Sequence, residues 1–247
     1  EPTYNNPIEI AFLGDISVMR TQGENILFGA KLAFEEINES GGLQINGEQH
    51  DIKPLFYDAK GDPERAREIV DELHQKGVKL IVGPLFSSVL LGIADKVVEN
   101  NMLLISYSAT SPEITTLEDN DLIWRTCPSD AYAGKKMAHF ASTDLALKKA
   151  AILYRDDNFG IQLAATIEQE FESTGGTITK SMSYPANSLI DEGYNLQESF
   201  TTILYDRPDM IFTITLSAEV ANISVDLVST PAYQQLERKP WLFVNDG

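Results

Sequence analysis

Two short polar clusters in this sequence have the residue types and spacing to bind an anion. Ser87-Ser88 follows an apolar run and opens a helical pattern, so its hydroxyls lie beside the free N–H groups of a helix start. Hydroxyls combined with helix-terminal amides form a receptor for a carboxylate; the same residues also serve as helix caps. Ser108-Ala109-Thr110 projects from the end of the next strand, which lets two donor clusters converge on one anion. Asp15 and Asp246 are acidic residues in strand-end loops. Each reads either as a partner for a ligand ammonium or as a turn residue. Arg20 stands either to pair with a distal acidic group of a ligand or in solvent. Phe86, Tyr107 and Phe159 supply apolar walls of the kind a concave site needs, with the core as the alternative place for Phe86. Leu216 closes a further strand end.

Catalytic signals are poor by comparison. His50, His74 and His139 are dispersed, with neither an H-E-x-x-H motif nor a Cys/His cluster at zinc spacing. No G-x-S-x-G elbow, P-loop or dinucleotide loop succeeds a strand. Asp156-Asp157-Asn158 lacks the glycine and closing glutamate of a calcium loop. Cys127 is the only cysteine and reads as a packed thiol, so no internal disulfide staples the fold. The chain reads as a non-enzyme needing no cofactor and no metal.

The elements that position these residues alternate regularly. Strands are expected at Ile8–Leu13, Ile52–Phe56, Val78–Val82, Met102–Ile105 and Leu122–Trp124. Others are expected at Ala150–Tyr154, Thr177–Met182, Met210–Ile214 and Trp241–Val244. Amphipathic helices fall between most of them, among them one opened by Asp62-Pro63 and one over about 130–147. Strands separated by helices of that length indicate βαβ crossovers and a parallel sheet. A restart at Pro128 divides the chain into two α/β lobes, about 1–128 and 129–245. Ligands of open parallel sheets sit outside the carboxyl ends of the strands, so two facing lobes make one cleft.

Bulk properties agree with a binding module. The 247 residues carry 37 acidic and 19 basic side chains, a net charge of −18. Repulsion from phosphate argues against nucleic acid and anionic membrane surfaces as partners. No run of about 18 apolar residues could span a bilayer as a helix, so no direct membrane insertion of this chain is expected. No basic and apolar leader opens the sequence at Glu1-Pro2-Thr3-Tyr4, which places any signal peptide outside it.

An ordered set of stretches resembles the type I periplasmic-binding-protein family, in the branch of leucine/isoleucine/valine-binding proteins of ABC importers. The set runs from Phe28-Gly29-Ala30-Lys31-Leu32-Ala33 with Ile37-Asn38 and Gly41-Gly42, through Tyr57-Asp58 with Asp62-Pro63, to Ile81-Val82-Gly83-Pro84 with Ser87-Ser88. It continues in 105–112 (ISYSATSP), Trp124-Arg125 with Pro128-Ser129-Asp130, and Asp157-Asn158-Phe159-Gly160. The resemblance implies two lobes, each a parallel sheet flanked by helices, with an amino acid or similar small zwitterion in the interlobe cleft. It implies that Ser87 and Thr110 hold the α-carboxylate, and that the Ser108 carbonyl and Asp246 take the ammonium. It also implies that Phe159 packs over the ligand backbone where a tyrosine is usual, and that Leu216 replaces an aromatic. Implied as well are a first lobe completed after residue 247, a membrane permease as partner, and a periplasmic or extracellular place, with a lipid anchor one way of holding it there. The alternative is the same module as the sensor domain of a membrane receptor or kinase. A transmembrane helix and signalling domain after Gly247 would mark the sensor, a further soluble lobe alone the transport protein.

Overall fold

The computed structural model describes residues 4–18, 21–186, 188 and 194–246, the side chains of Thr21 and Asp246 excepted. The chain forms two compact units. One comprises Glu1–Ala109 with Thr116–Cys127, the other Thr110–Thr115 with Pro128–Gly247. Thr110–Thr115, which the sequence pattern puts in the first lobe, therefore packs with the second unit.

In the first unit β1 (Ile8–Gly14), β4 (Ile52–Asp58), β5 (Leu80–Val82), β6 (Leu103–Ser106) and β7 (Ile123–Arg125) make a parallel sheet. Its order is β4-β1-β5-β6-β7. Side chains alternate across a strand, so Phe12 joins Phe34 and Ile52 on one face under helix α1 (Thr21–Glu39). Ala11 and Leu13 turn to the other face, where α2 (Pro63–Gln75) and α3 (Ser87–Glu99) pack together and bury their apolar stripes. Asp62 caps α2 by accepting from Glu64 N at 2.9 Å, with Pro63 in the first turn as its sequence implies. Asn46 and Gly47 form the two-residue turn of a hairpin, β2 (Leu43–Ile45) and β3 (Glu48–His50), whose strands the sequence pattern does not separate from the turn. Their φ values of 53° and 88° are what such a turn requires.

In the second unit β8 (Lys149–Asp156), β9 (Thr177–Pro185), β10 (Met210–Thr215) and β11 (Trp241–Asp246) pair in parallel in the order β11-β10-β8-β9. β8 is covered on both sides, which explains its continuous apolar run. Ala150 and Ile152 enter the core of α4 (Asp130–His139) and α5 (Asn158–Ser173). Ala151 and Leu153 enter that of α6 (Gln197–Tyr205) and α7 (Ser217–Ser229). A short α8 (Pro231–Gln234) precedes β11. The helix expected through Leu147 ends at His139 and continues as a π turn over Phe140–Asp144, with Leu145 N donating to Phe140 O. The Ser-Thr-Asp run at 142–144 competes for backbone groups and weakens the α-helical ladder there.

In both sheets the strand order reverses beside the first strand. The switch points lie between β1 and β5 in one unit and between β8 and β10 in the other, where open α/β sheets bind ligands. A glycine stands at each. Gly83 has φ +118°, and a Cβ there would lie 2.0 Å from Leu13 O. A Cβ on Gly160 would lie 2.0 Å from Arg155 O, so only glycine lets α5 start so close to the end of β8.

Candidate functional site

At the first unit's switch point, Asp15 opens the loop after β1 and is almost fully buried. Its Oδ1 accepts from Gly61 N at 2.8 Å and its Oδ2 from Leu85 N at 3.2 Å and Phe86 N at 3.4 Å. The carboxylate thus ties three strand-end loops together, and its oxygens point into backbone amides. Burial pushes its pKa above the ordinary 3.8, with the three amides pulling the other way and nearby Asp58 adding to the rise. A carboxyl with a raised folded-state pKa favours the fold most when protonated, and that contribution disappears as pH rises through the raised value. The parent should therefore gain stability relative to Asp15→Asn as pH falls from neutral towards about 4, as read by urea unfolding. A pH-independent difference between the two would contradict this.

Ser106 at the end of β6 joins the two donor clusters. It is buried, and its hydroxyl donates to Pro84 O at 2.7 Å. Its oxygen accepts from Ala109 N at 2.9 Å and Ser108 N at 3.3 Å. The Gly83–Ser87 turn and the Ser108–Ala109 loop are thereby bound to each other at neighbouring strand ends. Phe86 occupies the N-cap of α3 and makes no side-chain cap, so Ser87 and Ser88 fall inside the first turn rather than at the cap. Ser87 is buried, Ser88 and Ser108 half-buried, and Ala109 buried.

Phe86 is half-buried, and its ring passes close to Gly61. Tyr107 stacks on Phe12 with centroids 5.7 Å apart and planes 5° apart, as part of the α1-side core. Its buried hydroxyl has no hydrogen-bond partner among the described residues, and burial, with the charge of Asp15, raises its pKa.

In the second unit, Thr110 Oγ1 donates to Asp130 Oδ2 at 2.6 Å, and Asp130 N donates to Thr110 O at 2.9 Å. The adjoining 3-10 turn, Pro112–Thr116, is held by Glu113, whose carboxylate accepts from Asn158 Nδ2 at 3.0 Å and Gln162 Nε2 at 2.6 Å. Phe159, in the first turn of α5, is half-buried and packs on the α4–α5 core. Leu216 is the N-cap residue of α7 and is buried, its N–H donating to Glu219 Oε2 at 3.0 Å. Asp246 ends β11 opposite Thr215, and its side chain lies outside the described residues, as does Arg20 altogether.

Beneath the second switch point lies a buried polar network that sequence reasoning missed. Glu219 Oε2 accepts from Arg155 NH1 at 2.7 Å, Thr215 Oγ1 at 3.0 Å and Tyr184 OH at 3.2 Å, besides Leu216 N. Arg155 Nε donates to Asp157 Oδ2 at 2.9 Å, and Asp157 caps α5 through Gly160 N. Burial alone would lower the Arg155 pKa; Asp157 and Glu219 outweigh it and leave the guanidinium above its usual value. Residues holding the Phe159 and Leu216 loops are thus parts of one network. Single charged residues in β8, at the cap of α5 and in α7 gave no sign of it. Among the described residues no group of three His, Cys, Asp or Glu could hold a metal ion, and no helix is long and apolar enough to cross a membrane.

The family model described as periplasmic binding protein matches residues 7–224 of this sequence. The chain belongs to the periplasmic binding protein family. Both sheets have the parallel, helix-flanked form of the type I architecture. It is 31% identical over 169 residues to a leucine-, isoleucine-, valine-, threonine- and alanine-binding protein of Pseudomonas aeruginosa, covering 68% of this chain and 44% of that one. A Leu/Ile/Val-binding protein homologue of Brucella melitensis is 29% identical over 157 residues, 63% of this chain and 41% of the other. This binding-protein chain therefore spans less than half the length of these curated relatives. Among solved structures, a substrate-binding protein of Desulfitobacterium hafniense in complex with Leu superposes with a TM-score of 0.73 at 22% identity, covering 96% of this chain and 66% of that one. A solute-binding protein of Rhodopseudomonas palustris in complex with 4-hydroxybenzoate gives 0.78 at 19% identity, covering 97% and 61%. At such identities these two likenesses concern the fold.

Proposed function

We propose that this chain is the binding core of an extracytoplasmic solute-binding protein of an ABC-type importer, and that it takes an amino acid or similar small zwitterion at its strand-end loops. The observation that carries the reading is the junction made by Ser106. It holds the start of α3 against the Ser108–Ala109 loop and so brings the hydroxyl-bearing residues Ser87, Ser88 and Ser108 to neighbouring strand ends of the first unit. The curated relatives named for branched-chain and small amino acids support that ligand class. Asp246 at the end of β11 supplies the acid for the ammonium, and Phe159 a wall. Asp15, with its carboxylate turned to three amides, holds the loops in place and leaves ligand contact to its neighbours.

Domain limits accord with the same reading: a first lobe over 1–128, a second over 129–245, and a crossing back at 246–247. Leu103 and Ile105 stay half-buried on the α1 side of the first sheet, and Trp124, in register with Ile105, is 52% exposed. The partner in transport is a membrane permease that receives the loaded protein.

A ligand bound by the folded state alone raises its stability, by about 2.7 kcal/mol at a hundredfold excess over Kd. Thermal unfolding in the presence of each standard amino acid and a set of small carboxylates should therefore show an upward shift with a subset of amino acids. A uniform absence of shifts would count against the ligand class.

A further inference from the structure

The two loops at the second unit's switch point leave the neighbouring strands β8 and β10, and one chain of polar contacts runs between them. At one end Asp157 Oδ1 accepts from Gly160 N at 2.9 Å and so fixes the turn that carries Phe159. Asp157 Oδ2 accepts from Arg155 Nε at 2.9 Å, and Arg155 NH1 donates to Glu219 Oε2 at 2.7 Å. At the other end the same Glu219 oxygen accepts from Leu216 N at 3.0 Å and fixes the start of α7. The side chains of Arg155 and Glu219 are 2% and 0% exposed. A buried ion pair is seldom the most stable way to fill its volume, because desolvation offsets much of the attraction. Here the penalty is larger still. Glu219 Oε1 is buried with no hydrogen-bond partner among the described residues, while Oε2 takes four donors. Stability alone does not account for such a pair. What it supplies that apolar side chains would not is direction, since a planar guanidinium holds its donors at fixed angles and a closed polar network rigidifies what it joins.

We propose that Arg155 and Glu219 are positioning residues for ligand binding, which lock the Phe159 and Leu216 loops at one spacing so that the second unit offers a ligand a preformed wall. The inference rests on the proposed reading of these strand-end loops as ligand-facing and deepens it. A wall of fixed spacing binds without first having to order its loops, and it accepts ligand side chains of one size range over longer and shorter ones. Neither Arg155 nor Glu219 touches the ligand; both act through the loops above them.

The test is calorimetric titration of the standard L-amino acids into the parent, into the double replacement Arg155→Met with Glu219→Leu, and into Asp157→Asn, each well below its own unfolding temperature. The double replacement separates position from stability, because it refills the core without restoring the tether between the loops. It should bind the parent's preferred amino acid about tenfold more weakly, the cost of ordering two loop side chains on binding. Its preference between amino acids of different side-chain length should shrink several-fold. Asp157→Asn breaks the same chain at its other end. An asparagine Oδ1 still accepts from Gly160 N, whereas the amide nitrogen facing Arg155 donates and cannot accept. The Asp157 side chain is 19% exposed, so this variant keeps the test decisive if the double replacement fails to fold. It should lose part of the same preference. A purely structural role makes binding follow stability. A folded double replacement with the parent's affinity, or one that weakens every amino acid by one factor, therefore overturns the proposal, as does an unchanged preference in Asp157→Asn. A parent that binds none of the amino acids contradicts the underlying reading and removes the proposal with it.

Discussion

Arg155→Ala and Glu219→Ala are each expected to destabilise the second unit by about 3–5 kcal/mol, the cost of leaving one charge of a buried pair without its partner. The magnitude comes from location. Arg155 is 1% exposed and Glu219 0%, their charged atoms are 2.7 Å apart, and no solvent screens them. Glu219 also accepts from Tyr184, Thr215 and Leu216, so its removal takes the acceptor from Leu216 N, while the two hydroxyls keep Ile214 O and Leu216 O. Arg155 keeps Asp157 as a neighbour in Glu219→Ala, whereas in Arg155→Ala Glu219 keeps only neutral donors. Replacing both by apolar residues of similar volume should recover much of the loss, because the pair is costly to desolvate as well as to break. Chemical unfolding of the two single variants and the double replacement measures this, and losses below about 1 kcal/mol in both singles would contradict it.

The second large effect concerns binding. Asp246→Ala is expected to weaken amino-acid affinity by at least about thirtyfold, since truncating one partner of an enclosed charge pair costs about 2–5 kcal/mol. β11 pairs with β10 through main-chain bonds, Asp246 lying opposite Thr215, so removal of the side chain should leave the ligand-free melting temperature nearly unchanged. Isothermal titration together with an unfolding scan separates the two. An affinity within twofold of the parent would show that Asp246 does not meet the ammonium.

Much of this architecture is local and was therefore legible. Apolar runs of four to eight residues, stopped by Gly14-Asp15 or Gly83-Pro84, became strands β1 and β5, and Asp62-Pro63 became a capped helix start. The strand-end position of the serine clusters was legible for the same reason, because it is set by element order. What joins them was not. Ser106 reads as one more hydroxyl in a polar stretch, and only the fold shows it bridging Pro84 to Ala109. Arg155 and Glu219 are 64 residues apart in the sequence, and nothing in periodicity pairs one buried charge with another. Thr110 and Asp130, 20 residues apart, likewise meet only in the fold. Asp15 shows the converse, an acid in a strand-end loop that the fold uses inwardly, on three amides.

The central claim is that the strand-end loops recognise both charges of a small zwitterion. Its most direct test is calorimetric titration of the protein with an amino acid that stabilises it, with the deaminated acid of the same side chain, and with the decarboxylated amine. The account predicts measurable affinity for the zwitterion and a loss of about tenfold or more for each singly charged analogue. An analogue lacking either group that binds as tightly as the amino acid would contradict it.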